Sequence, residues 1–171
     1  MAWIELSEKE DIIPNGYQIK QGGIFSLEEL YMELQRWFLH YEYDWKETKY
    51  RNVDQPGGGK QVEIMWECTK KADEYVKFVV KTHIQTFMSD VEVPVEGGAK
   101  KKMNKGSIEF RFHAYMVKNV SIWKNHWWGT LGRIIYEKFL IKDRLENYGA
   151  ELFGEMQKLF SEIKAHLQLY Q

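Results

Sequence analysis

Between Tyr75 and Lys118 the chain alternates apolar and polar residues along two arms, and this period-two pattern constrains the fold more than any other stretch. Val76, Phe78, Val80, Thr82, Ile84, Thr86 and Met88 fall on one face of the first arm, with Lys77, Lys81, His83 and Gln85 on the other. On the second arm Ile108, Phe110, Phe112, Ala114 and Met116 alternate with Glu109, Arg111, His113 and Tyr115. The segment from Glu96 to Gly106 between them has the glycines and lysines of a tip, so two long strands folded back on each other are predicted. Gln61 to Thr69 repeats the pattern, with Val62, Ile64, Trp66 and Cys68 on one side. Trp45 to Asn52 alternates without a clean apolar side, as an edge strand does. Short links at Asp54–Gly59 and Lys70–Glu74 make an antiparallel meander of about four strands, with one buried face, the simplest arrangement.

Two helical patterns flank the meander. Ser26 followed by Glu29 forms a capping box, and Phe25 and Leu30 have the spacing of a hydrophobic staple. Leu27, Leu30, Leu34, Trp37, Phe38 and Tyr41 then recur at helical spacing. Ahead of this helix, Asn15-Gly16 is a turn signal, and Tyr17, Ile19 and Gln21 read as a short strand ended by Gly22-Gly23. Met1 to Pro14 begins with Trp3, Ile4 and Leu6 and then becomes too charged to assign. Beyond Leu131 the residues Ile134, Ile141, Leu145, Tyr148, Leu152, Met156, Leu159, Ile163, His166 and Tyr170 fall mostly at steps of three or four. Phe153, Phe160 and Leu167 widen that stripe into a core-packing face. Gly149 and Gly154 each cost about 1 kcal/mol in a helix interior, so a bend or break is expected near Gly149. The fold class is α+β, one domain over residues 1–171, with the long C-terminal helix laid on the apolar face of the sheet.

Composition narrows the function classes. A net charge of -1 argues against a surface tuned throughout to polyanions. Cys68 stands alone, which removes an intrachain disulfide and a cysteine metal cluster and suits a reducing compartment. The start of the chain lacks an apolar core of signal-peptide length, and no stretch approaches ~18 uninterrupted apolar residues, so a cytoplasmic protein without a transmembrane segment is expected. Seven tryptophans are an excess of aromatic surface for one modest sheet to cover.

Three groups of residues could carry function. The outward face of the meander collects Glu63, Glu67, Lys77, Lys81, His83, Glu109, Arg111 and His113. His83, His113 and Glu109 are the candidate metal ligands there, although cross-strand charge pairs are the ordinary outcome on such a face, and no metal or other cofactor is called for. The tip lysines Lys100, Lys101, Lys102 and Lys105 could reach a nucleic-acid backbone or an anionic membrane surface, or simply keep the hairpin soluble. Trp123, His126, Trp127 and Trp128, beside Lys124 and Arg133, have the composition of a protein hot spot or a membrane-interface belt. Their ordinary alternative is burial under the long helix. No nucleophile, base and orienting group occur together, so catalysis is the least supported class.

The leading expectation is a non-enzymatic interaction or assembly module that binds a protein partner or self-associates into a homo-oligomer. Its expected contacts are the segment Trp123 to Trp128, Arg133 and the C-terminal helix. A polyanion binder using the lysine tip is the second expectation. The third is a binder of a small apolar ligand, because a sheet gripped by a long terminal helix resembles the helix-grip folds in outline.

Overall fold

The computed structural model describes residues 8–124 and 126–169. Trp3, Ile4 and Leu6 at the start and Tyr170 at the end of the C-terminal stripe lie outside the described residues. The elements in order are β1 (Lys9–Asp11), β2 (Tyr17–Phe25), α1 (Leu27–His40), β3 (Asp44–Asp54), β4 (Lys60–Lys71), β5 (Val76–Pro94) and β6 (Lys100–Lys118). A 3-10 turn (Val120–Trp123), α2 (Gly129–Ile135), a π-helical turn (Tyr136–Leu140) and α3 (Lys142–Gln168) complete the chain.

The architecture is α+β, as the alternation and the helical stripes predict. Strands β3 to β6 form the expected antiparallel meander, each paired with its neighbour in sequence. The sheet is larger than four strands, because β1 and β2 both return to the far side of β6. β1 is three exposed charged residues held by backbone pairing to Tyr115–Val117, so hydropathy carries no trace of it. β2 also outruns its expected end at Gly22-Gly23 and continues to Phe25, with Gly23 opposite Gly106.

That crossing is tight. A Cβ at Gly106 would fall 1.9 Å from the Phe87 carbonyl oxygen and 2.7 Å from the Met88 Cα on the neighbouring strand. Gly106→Ala is therefore expected to lower stability by about 2 kcal/mol as the β5–β6 ladder shifts to make room. Gly154→Ala should act with the opposite sign, gaining up to about 1 kcal/mol, because nothing lies within 4 Å of the added methyl and the residue is helical. Urea unfolding of the two variants checks both signs, and a Gly106→Ala midpoint equal to that of the parent would refute the first.

Both helices cover the same face. The Ser26 side chain caps α1 by accepting from the Glu29 N–H at 3.3 Å, and the Leu27 N–H donates to Asn104 Oδ1 at 3.0 Å, which fixes the helix start to β6. Phe38 and Tyr31 pack edge-on against Trp66 of β4, so α1 lies over the β3–β4 side. Phe160 of α3 packs on Phe112 of β6 and stacks on Tyr17 of β2, while Tyr148 meets Phe78 of β5. The buried side of α3, from Leu145 through Leu152, Met156, Leu159, Phe160 and Ile163 to Leu167, is thereby spent on the core.

The C-terminal stripe is interrupted earlier than expected. The break is the π turn ending at Ile141, whose φ of -124° departs from helix. Helix α3 then runs unbroken through Gly149, where a Cβ would stand 3.4 Å from Ile12 Cδ1. Gly149 permits close packing of the N-terminal segment; it does not end a helix.

A buried ion cluster clamps α3 to the sheet. The Tyr43 hydroxyl donates to Glu155 Oε2 at 2.6 Å, and Lys70 Nζ donates to Glu155 Oε1 at 2.6 Å and to Glu151 at 3.3 Å. Burial, and then the bond to Glu155, push the Tyr43 hydroxyl well above its ordinary value, so it remains a donor at every physiological pH.

Candidate interaction surface and polar trough

The segment that follows β6 is shaped by glycines. A Cβ at Gly129 would fall 2.0 Å from the Trp123 carbonyl oxygen, and one at Gly132 would fall 2.5 Å from the Trp128 ring. The chain can therefore fold tightly on itself here, with the Trp128 indole across Gly132 and His126 stacked on Trp128 at 5.6 Å. Trp123 turns inward against the core and tilts onto Tyr136 at 5.5 Å.

The outward side is apolar. Trp127 is 96% exposed and Phe139 is 77% exposed, and Ile122, Trp128, Leu131, Ile135 and Leu140 are exposed beside them in sequence. Trp127, Leu131, Ile135 and Phe139 are spaced four apart in sequence; Leu131 and Ile135 lie in α2, Trp127 in the turn before it and Phe139 in the π turn after it. These exposed side chains are a second apolar set in addition to the stripe that faces the core. That doubling was a usable signal in the sequence, since a surface helix ordinarily carries one stripe.

The underside of this ledge is polar and fixed. Glu137 Oε1 accepts from the Tyr75 hydroxyl at 2.5 Å and from Arg133 Nε at 2.8 Å, while Lys118 Nζ lies 3.3 Å from Oε2 and 3.1 Å from Glu10. Burial works against the Glu137 charge, but the donors Tyr75 and Arg133, with the Lys118 ammonium, hold its carboxyl below the usual value. Arg133 is buried in this cluster, so it anchors the ledge and offers no surface to a partner. Of the residues assigned to contact from the sequence, His126, Trp127 and Trp128 are exposed, whereas Trp123 and Arg133 support them from below.

The tip lysines lie elsewhere, with β6 beginning at Lys100 so that they belong to a strand. Lys100 pairs with Glu92 at 3.3 Å, Lys101 with Glu29 at 2.6 Å and Lys102 with Asp90 at 3.4 Å, while Lys105 is exposed. Carboxylates beside three of the four lysines reduce the field that a polyanion would meet.

The opposite face of the sheet carries a polar trough of about 850 Å³, lined among others by Lys9, Met65, Lys81, His83, Arg111 and His113. The register brings together the outward residues that the alternation selects, with Lys81 opposite His113 and His83 opposite Arg111. Their acids stand around them. Glu63 accepts from Lys49 at 2.7 Å and meets His83 at 3.2 Å, Glu67 lies 3.6 Å from Lys81, and Glu109 accepts from Arg111 and from Gln18. The Lys49 ammonium holds the Glu63 carboxyl below its usual value. His83, His113 and Glu109 thus share a face without converging on a point; among the described residues no three His, Cys, Asp or Glu side chains are grouped to hold a metal. Lys77 lies further along the same face, opposite Val117.

A void between α1 and α3, lined by residues such as Leu30, Trp37 and Ile163, measures about 20 Å³. That is room for one water, against the several hundred Å³ that a small-molecule ligand occupies. Cys68 is fully buried, and burial pushes its thiol up to about 12, which suits a core residue. Among the described residues no helix is long and apolar enough to cross a membrane. Compared with family models, curated proteins and solved structures, the chain matches none.

Proposed function

We propose that the protein is a non-enzymatic interaction module that self-associates through the ledge between Ile122 and Leu140. The observation that supports this reading most is the exposure of Trp127, Leu131, Ile135 and Phe139 on a segment whose Arg133 and Glu137 are turned inward. Contiguous apolar surface of this kind is left in water at a cost that a partner removes. The C-terminal helix is left out of this surface because most of its stripe covers the sheet, although Phe153, expected in that stripe, is half-exposed. The lone buried Cys68 fits a cytoplasmic setting.

Sedimentation equilibrium over a wide concentration range tests the reading. A mass that rises from monomer toward dimer with concentration is expected. A monomer at every concentration would count decisively against it.

An anionic membrane surface that meets the ledge is the second reading. Lys124, Lys138 and Lys142 are exposed around the ledge's apolar side chains, and tryptophan with lysine is the composition of an interfacial segment. Flotation with phosphatidylserine vesicles by a protein that stays monomeric would favour this reading over self-association.

A further inference from the structure

We propose that the polar trough is a binding site for a small phosphate ester, with Lys81, His83, Arg111 and His113 as the groups that grip the phosphate. The cross-strand register carries the inference. Two successive pairs on β5 and β6 set basic side chains opposite basic side chains, Lys81 with His113 and His83 with Arg111. Opposed residues stand about 5 Å apart, so four nitrogen-bearing side chains are gathered on one patch of the face. The two pairs hold no acid between them, and Glu67 stands opposite Lys81 one strand over. The block of four is a cluster of N–H donors, as a bound anion requires.

Carboxylates stand beside three of the four, Glu67 at Lys81, Glu63 at His83 and Glu109 at Arg111, so a phosphate must draw on the donor hydrogens that these contacts leave. Glu109 holds Arg111 through Nε, so a grip by the guanidinium uses its terminal nitrogens. Glu63 holds His83 at one ring nitrogen, Nε2. His113 is exposed, and its ring lies within 3.4 Å of the Cβ position of Gly16, so the Asn15-Gly16 turn forms a wall beside it. Gly16, at a φ of 74°, could not carry that Cβ, which would fall 2.8 Å from the Phe112 carbonyl oxygen. A further wall is Lys9, whose Nζ stands 4.2 Å over the Tyr115 ring. The trough's volume of about 850 Å³ exceeds that of a lone phosphate and falls within the range of organic ligands, so an ester with an organic body is the class that fits. Met65 and Thr48 line the space left for that body.

The trough shares no lining residue with the ledge, so this site stands or falls apart from self-association. Calorimetric titration of the full chain with AMP and with phenyl phosphate, alongside adenosine and phenol, tests it. Saturable binding of the two phosphate esters and none of the phosphate-free pair is expected, with imidazole NMR signals of His83 and His113 shifting and that of His40 unmoved. Arg111→Ala and Arg111→Lys should each weaken binding roughly tenfold or more, since both lose the fork. Lys77→Ala, on the same face but outside the trough, should leave it unchanged. No heat and no imidazole shift at millimolar ester, equal binding of adenosine and AMP, or full affinity in both Arg111 variants would each overturn the proposal.

Discussion

Replacing Trp127 and Phe139 together with serine is expected to weaken self-association about a hundredfold or more while leaving urea unfolding of the monomer unchanged. Both side chains are exposed, so their removal opens no cavity in the fold. The cluster of Arg133, Glu137, Tyr75 and Lys118 that holds the segment to β5 and β6 is untouched. Large aromatics at the centre of a contact carry most of its energy, so two such losses should move the midpoint of association beyond attainable concentrations. Phe153→Ser, at a half-exposed position of α3, is the comparison. If it shifts the sedimentation profile and the ledge variant does not, the contact surface is the terminal helix and the ledge reading fails.

The largest effect on stability is expected at the clamp between α3 and the sheet. Lys70→Met leaves the Glu155 carboxylate buried with only the Tyr43 hydroxyl to answer it, and should cost about 3 kcal/mol. The double variant Lys70→Met with Glu155→Met should recover most of that loss, because removing both charges leaves none to desolvate. Urea unfolding of the single and double variants decides the matter; a double variant as unstable as the sum of its parts would refute the clamp. Alkali is a second probe. Burial disfavours the Lys70 ammonium, but Glu155 and Glu151 outweigh it and raise the group above its ordinary 10.5. A raised folded-state value means that the contribution is fully present below pH 10.5 and disappears only as the pH climbs through the higher value.

The meander and the capped helix were legible because each rests on local chemistry. Val62 to Cys68, Val76 to Met88 and Ile108 to Met116 alternate with few exceptions, such as Val79 and Met65, and Ser26 with Glu29 marks a helix start within four residues. What escaped depends on partners distant in sequence. β1 is Lys9–Asp11, which only β6 makes a strand, and Gly22-Gly23 reads as a stop until Gly106 is seen across from it. The break at the π turn has no marker, because Tyr136 to Leu140 keeps the apolar spacing of a helix, while Gly149 carries the marker without the break. The candidate sites followed the same rule. Exposure of Trp127 and Trp128 could not be read from composition, which fits a buried cluster equally well. The pairing of Lys101 could not be read, because Glu29 approaches it from another element. His83 and Arg111 were on one face from the start, but only the register sets them opposite each other.

The two-way use of β6 has a consequence for the order of events on the ribosome. Among the described residues β2 finds its strand partner only in Asn104–Phe112, and β1 only in Tyr115–Val117. Each strand of the meander meets a neighbour within a few residues of leaving the exit tunnel. β1 and β2, which precede the meander, must instead wait for β6, so their place in the sheet opens only once all four meander strands have been made.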